Sequence, residues 1–305
     1  MNLLLTILAD DILPIFVVAS VGFLLARRLH VDVKTLSRIT FNALAPCLVF
    51  HLLVTSQVST GEFGRIVAFT VLLVAAIGSV ARIVAIPFRL DRPVLAAFLI
   101  VVMFSNAGNY GLSVVLFAFG RDVVARAAVY FVTSALLMYT FGSVLASSGR
   151  VGVKAALHGL LRVPALWGLV AAAVVIWTGV TLPTAIARPV DLLGAAAIPS
   201  MLLVLGMQFE KGAWPERPGL VATAAALALV VSPLLGFLLA RFLGLEGVAR
   251  QAVIVESAMP SAVITTILAL EFDVAPRFVT SVVVVTTLVS PVTVSLLIAL
   301  LQSGF

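Results

Sequence analysis

The sequence predicts an all-α polytopic membrane protein with ten transmembrane helices. Hydrophobic residues make up 62% of the 305 residues, charged residues make up only 10%, and the mean hydropathy is +1.24. A soluble domain of average composition is roughly half apolar and about a quarter charged. A globular fold has no interior large enough to bury this much apolar surface. The formal charge of +6 therefore indicates basic loops beside a lipid bilayer, and no nucleic-acid partner is expected.

The ten predicted helices follow from ten apolar segments. A helix that crosses a bilayer needs about 20 largely apolar residues. Asp10 and Asp11 precede the first segment, where a signal peptide would carry basic residues, so we expect the first segment to be retained. The segments are too long and too uniformly apolar for barrel strands. They are Ile12–Ala26, Thr35–Val54, Arg65–Phe88, Pro93–Gly120, Val123–Ala146, Pro164–Leu182, Val190–Phe209, Gly219–Leu243, Gly247–Leu270 and Phe278–Leu301.

Basic residues predict the orientation of these segments. Of the 19 Lys and Arg residues, twelve lie in odd-numbered connections, six lie in even-numbered ones, and Arg82 lies inside the third segment. Cytoplasmic loops carry the excess of Lys and Arg. We therefore expect the odd connections in the cytoplasm and both termini outside, in the inner membrane of a bacterium.

The two halves of the sequence resemble each other at a constant offset. Pro46 aligns with Pro199, an offset of 199 − 46 = 153, and the same offset aligns Asn106 with Met259. Five segments per half is an odd number, so the halves have opposite orientations, as in the inverted repeats of many secondary transporters. The predicted domains are a first repeat at 1–147, a cytoplasmic linker at 148–163 and an inverted second repeat at 164–305. The basic linker either lies on the membrane surface or only joins the repeats.

Two polar motifs interrupt the apolar pattern at matching positions. They are FSNAGNYGLS, from Phe104 in the fourth segment, and ESAMPSAV, from Glu256 in the ninth. Glycine and proline disfavour continued helix, and broken backbone in a membrane needs protein or a water-filled cavity beside it. The predicted crossover residues are Ser105, Gly108, Gly111 and Pro260. The motifs therefore predict two broken helices that form a binding site, or two kinked helices whose asparagines bond to neighbouring helices.

Polar residues of these motifs are the candidate ligands for a solute. Asn106, Asn109 and Ser261 can satisfy the broken backbone or contact a solute, and Tyr110 belongs to the same motif. Asn42, beside the Pro46 kink, either faces the cavity or only bonds to a neighbouring helix.

Glu256 is the acidic residue deepest in the predicted membrane region. A carboxylate at this depth is costly and by default indicates a functional site. Glu256 is therefore predicted to couple transport to an ion, by binding a cation such as sodium or by carrying a proton. The alternative is a structural partner for a nearby hydroxyl or amide group.

Other activities lack their sequence signals. There is no phosphate-binding loop, no cluster of His, Asp or Glu near an interface, and only one cysteine, Cys47. We therefore expect no enzyme, no resident metal and no cofactor other than a coupling ion.

With these motifs, the sequence resembles the auxin efflux carrier family, which includes bacterial permeases and the plant PIN carriers. The resemblance implies ten spans in two inverted repeats, a scaffold domain and a transport domain, with the fourth and ninth helices crossing beside the substrate. It implies that Asn106 and Asn109 are ligands at the first crossover and that Met259, Pro260 and Ser261 form the second. It also implies small organic anions as substrates, dicarboxylates such as malate or malonate in bacteria and auxin in plants.

The sequence departs from the plant carriers in two ways. Its first crossover has Gly108 where they have proline, and it lacks their long hydrophilic loop. More distantly, Glu256 with Met259 three residues later is similar to the sodium-binding crossover of bile-acid sodium symporters. We therefore expect a secondary active transporter of small organic anions in a lipid bilayer, with a homodimer as an open possibility. The alternatives are a sodium-coupled symporter of larger amphipathic acids and a membrane sensor or structural protein that transports nothing.

Overall fold

The computed structural model describes residues 2–56, 58–147, 159–161, 163–209 and 217–303, and these residues contain twelve main helices and no strand. The helices, some continued by a π or 3-10 turn, are α1 Leu3–Leu29, α2 Val33–Thr55, α3 Thr60–Phe88, α4 Arg92–Met103, α5 Ala107–Phe119, α6 Arg121–Ala146, α7 Pro164–Thr178, α8 Thr184–Gln208, α9 Pro218–Phe242, α10 Gly247–Ser257, α11 Ile264–Phe272 and α12 Pro276–Gln302.

Seven of these helices are long and apolar enough to cross a membrane: α1, α2, α3, α6, α8, α9 and α12. The prediction of an all-helical integral membrane protein is therefore confirmed. The shorter helices α4 and α5 divide the predicted fourth segment, and α10 and α11 divide the ninth. The predicted linker at 148–163 lies almost entirely outside the described residues.

The first helix begins earlier than predicted. It starts at Leu3 rather than at Ile12, and Asp10 and Asp11 lie inside it, in the π-helical turn Leu8–Ile12. Apolar residues flank the two acids on both sides, so the acids interrupt an apolar run instead of preceding it. Asp10 is exposed in the structure, and its charge therefore does not require the helix to end.

Helices α1, α2, α7 and α8 pack together through glycines. Gly22 of α1 lies against the backbone of α8, and Gly206 of α8 lies against the backbone of Ala19. In the same way Gly168 of α7 contacts the backbone of Pro46 in α2. Small residues let membrane helices approach closely, and van der Waals contact then holds them together.

The remaining helices, α3 to α6 and α9 to α12, form a second packed group. Arg126 of α6 donates to both carboxylate oxygens of Glu62 in α3, at 2.8 and 3.2 Å. Arg65 of α3 donates to the carbonyl of Gly244, between α9 and α10, at 3.0 Å. These bonds place the second, fourth and eighth connections at one end of the molecule.

Candidate functional site

The interruptions of the fourth and ninth segments lie against each other. Residues 104–106 separate α4 from α5, and residues 258–263 separate α10 from α11. Ser105 and Ser261 form an antiparallel β-bridge where the two segments meet. The chain therefore leaves helical geometry twice, and both departures occur at one place in the fold.

Backbone hydrogen bonds join the two interruptions. The N–H of Asn106 donates to the carbonyl of Pro260 at 2.7 Å, and the N–H of Ala262 donates to the carbonyl of Phe104 at 2.9 Å. Buried backbone groups without partners are costly, most of all in a membrane. Each interruption thus provides hydrogen-bond partners for backbone groups that lose their helical partners in the other. We call these paired segments the crossing.

Two glycines make room for side chains at the crossing. They lie in the π-helical turn Ala107–Gly111, which begins α5. A Cβ atom at Gly108 would lie 2.7 Å from the ring of Phe131, and a Cβ atom at Gly111 would collide with the carboxyl group of Glu256. A side chain at Gly108 would therefore force the Phe131 ring to shift, and one at Gly111 would force the Glu256 carboxyl group to shift.

A cavity of about 230 Å³ lies on one side of the crossing. It opens at the end of the bundle where α2 and α7 begin and α8 ends. Its apolar wall includes Phe41, Phe131 and Ile267. The polar residues that line it are Ser37, Arg38, Asn42, Ser105, Asn106, Asn109, Ser134, Tyr139 and Gln208.

The described lining of the cavity carries a positive charge and no negative one. Among the described residues, Arg38 is the one charged side chain in its lining, and no acidic residue lines it. Arg38 is exposed. Deeper in the cavity, Asn106 and Asn109 are each only 5% exposed. Asn106 Nδ2 and Asn109 Oδ1 have no hydrogen-bond partner within the described chain, so the deep end offers polar groups that a solute can satisfy.

The cavity also contains Asn42, on the first turns of α2. Its Nδ2 donates to the carbonyl of Arg38 at 2.8 Å. Asn42 is exposed and lines the cavity, so it both faces the cavity and bonds within its own helix.

Tyr110 lies outside the cavity. Its ring is fully buried and meets Phe16 of α1 edge-on, with 6.0 Å between the ring centroids. Its hydroxyl accepts a hydrogen bond from Ser290 of α12 at 3.3 Å. In this conformation Tyr110 joins α5 to α1 and α12 and does not line the cavity.

The second-crossover residues also lie away from the large cavity. Ser261 Oγ donates to the carbonyl of Val101 at 2.7 Å. Met259 and Ser261 line a separate chamber of about 10 Å³, to which Ser105 and Tyr130 also contribute. Pro260 contributes its carbonyl to the crossing. The chamber is about large enough for one water molecule.

Glu256 lines neither cavity. Its side chain is fully buried against Gly111, and neither carboxyl oxygen has a hydrogen-bond partner within the described chain. The described residues contain no cluster of three or more His, Cys, Asp or Glu residues that could hold a metal.

Sequence reasoning missed Arg38, Ser134 and Gln208 as lining residues. A signal for Arg38 was present, because Arg38 and Asn42 are four residues apart and share a helix face. Gln208 is the last residue of α8, and its Oε1 has no hydrogen-bond partner within the described chain. No local pattern indicates that this helix end reaches the crossing.

Comparison with known proteins places this site in context. Residues 7–298 match the profile of a family described as membrane transport protein. The chain belongs to this family of auxin efflux carrier-like transporters. It is 26% identical over 295 residues to an uncharacterized transporter of Methanothermobacter thermautotrophicus, covering 94% of this chain and 96% of that protein. It is 25% identical over 273 residues to an uncharacterized transporter of Methanocaldococcus jannaschii, covering 86% and 88%. The resemblance seen in the sequence is confirmed, and both relatives match along most of their length.

Proposed function

We propose that this transporter moves small organic anions, carboxylates above all, by secondary active transport. The observation that carries the proposal is the lining of the cavity, with Arg38 at its mouth, no acidic residue among the described lining, and Asn106 and Asn109 at its deep end. A cationic mouth raises the local concentration of anions, and buried amides then orient a bound carboxylate. The proposal assigns the chain no catalytic role.

The proposed architecture is two inverted repeats of five spans, with the fourth and ninth spans broken and crossing. In this proposal α1, α2, α7 and α8 are the scaffold, and the other group moves against it to alternate access. The cavity opens at the end that carries the odd-numbered connections, where most Lys and Arg residues lie. The orientation rule makes that end cytoplasmic. We therefore assign the described conformation to an inward-facing state, with both termini outside the plasma membrane of a bacterium.

Cavity size favours small substrates over larger amphipathic acids. Pockets for drug-sized ligands enclose about 300–1,000 Å³, and this cavity encloses about 230 Å³. A dicarboxylate or a short aromatic acid is closer to that volume than a steroid acid. The sodium-coupled symporter of larger acids is therefore the less favoured alternative.

The proposal is tested by a screen in proteoliposomes. The purified protein is reconstituted and offered labelled malate, malonate and indole-3-acetate under imposed sodium or proton gradients. Loss of a hydrogen bond to a charged group costs about 1.5–3 kcal/mol, so Asn109→Ala should weaken the affinity for the transported anion about 10- to 150-fold. Uptake of none of the anions, with no binding to the purified protein, would refute the proposal. Binding without uptake would favour a sensor.

A further inference from the structure

We propose that Glu256 holds an occluded proton in this conformation and that Gly111 is the residue that positions it. The inference rests on the proposed transport function and deepens it by naming the proton as the coupling ion. It follows from where the carboxyl group lies and from what surrounds it.

The surroundings of Glu256 do not suit a charged carboxylate. The side chain is 0% exposed, and neither oxygen has a hydrogen-bond partner within the described chain. An ionised carboxylate without partners in an apolar medium costs far more than a neutral group, so the group takes up a proton instead. The Glu256 side chain is therefore in its carboxylic acid form, with one proton on a carboxyl oxygen.

Among the described residues, no charged side chain pairs with the Glu256 carboxyl group. The elements packed against α10 are α3, α5, α6, α9 and α12. Tyr130 of α6 is 2% exposed and lines the small chamber together with Ser257 and Met259, which lie close to Glu256 in the sequence. Helix α5 carries no charged residue, and α9 and α12 carry only Arg241 and Arg277, next to helix ends. On α3 and α6 the charged side chains lie in the outer turns, where Glu62 pairs with Arg126.

Gly111 provides the space that the carboxyl group occupies. A Cβ atom at Gly111 would collide with Oε2 and lie 2.7 Å from Cδ and 2.8 Å from Oε1 of Glu256. The N–H of Gly111 is itself held by the carbonyl of Asn106, at 2.9 Å. The wall of the proton site is therefore backbone of the π-helical turn Ala107–Gly111.

The same turn contacts both the proton and the solute cavity. Asn109 lies two residues before Gly111 and lines the cavity, while Gly111 covers Glu256. When a solute shifts the turn Ala107–Gly111, the cover over the carboxyl group shifts with it. Glu256 then releases its proton to water on one side of the membrane and becomes a carboxylate, and it takes up a proton from water on the other side when the site opens there. Proton and solute movements are thus linked through five residues.

Infrared spectroscopy of the purified protein in detergent tests the protonation state without any substrate. The parent should show a carboxylic acid C=O band at neutral pH that is absent in Glu256→Gln. Gly111→Ala should remove or shift this band, whereas Gly108→Ala, whose Cβ meets a phenylalanine ring instead, should keep it. Glu256→Asp in the Gly111→Ala background shortens the side chain by one methylene and should restore an acid band. The proposal would be overturned if the acid band persisted in Glu256→Gln. It would also be overturned if the Gly111→Ala and Gly108→Ala variants gave equal spectra.

Transport measurements separate this inference from the proposed function. In proteoliposomes with labelled malonate, Glu256→Gln should abolish accumulation driven by a pH gradient but retain exchange of labelled for unlabelled anion. Accumulation driven by sodium and indifferent to the pH gradient would overturn the proton assignment while leaving the transport function intact. If malonate is not carried at all, the infrared result still decides whether Glu256 holds a proton.

Discussion

Replacing Gly22 by alanine should destabilise the protein, because α1 and α8 approach each other closely at Gly22. A Cβ atom at this position would lie 2.8 Å from the carbonyl carbon and 2.9 Å from the Cα of Leu203, and closer still to the carbonyl oxygen. These neighbours are backbone atoms, so no side-chain rotation removes the clash. The two helices must separate until the contacts reach an ordinary 3.4–4 Å.

The magnitude follows from two opposing effects. A radial gap of about 0.5–1 Å forfeits a quarter to a half of the dispersion energy of each affected contact, and overpacking in mutated cores costs about 1–3 kcal/mol. Alanine in place of glycine inside a helix gains about 0.5–1 kcal/mol. The clash is therefore the larger effect, and we expect a net loss of about 1–2 kcal/mol in the free energy of unfolding.

Gly64→Ala is the matched control for this experiment. Gly64 also lies inside a long helix, α3, but no atom lies within 4 Å of its added Cβ. Thermal unfolding of both variants in the same detergent should place Gly22→Ala below the parent and Gly64→Ala at or slightly above it. A Gly22→Ala variant as stable as Gly64→Ala would refute the close approach of α1 and α8.

Three further predictions concern orientation, a helix cap and the site. A cysteine introduced by Ser303→Cys in a Cys47→Ser background should react with an impermeant thiol reagent in right-side-out cells; reaction only after permeabilisation would reverse the orientation. The hydroxyl of Thr35 and backbone N–H groups hold the pKa of Asp32 below its usual value, so this cap should stabilise α2 above the unfolded-state pKa and be lost as pH falls through the folded-state pKa. Hydrogen exchange at the Thr35 amide measures that loss. If the ratio of exchange rates between the parent and Asp32→Ala did not change with pH, the prediction would be wrong. Tyr110→Phe should leave the affinity for the transported anion nearly unchanged, and a loss as large as that predicted for Asn109→Ala would show that Tyr110 reaches the solute.

Composition and local chemistry account for the parts of the fold that sequence could predict. Apolar length predicted the membrane class. Gly108, Gly111 and Pro260 predicted interruptions, because glycine and proline disfavour continued helix. Pro260 lies in the second interruption, whereas Gly108 and Gly111 lie in the π turn just after the first. The predicted start of α1 was wrong because Asp10 and Asp11 were interpreted as the boundary of the membrane helix. The exposed Asp10 and the half-buried Asp11 are compatible with a continuous helix in the wider turn, and local pattern alone does not distinguish a helix start from such a turn.

The direction in which each side chain points could not be predicted. Asn109 and Tyr110 are neighbours in one motif, yet Asn109 lines the cavity and Tyr110 packs against α1 and α12. The π turn changes the angle between successive residues, so a standard helical projection misplaces them. Gln208 reaches the cavity from another helix, and only the packing of α8 on the crossing brings it there.

The two hydrogen bonds that join the interruptions to each other use main-chain atoms only. Their donors are the amides of Asn106 and Ala262, and their acceptors are the carbonyls of Phe104 and Pro260. Every amino acid has the carbonyl and every one but proline has the amide. Side chains at these positions can therefore be exchanged over evolutionary time without removing either bond. Relatives can acquire new substrates by altering the cavity lining while the two chains still cross at the same place.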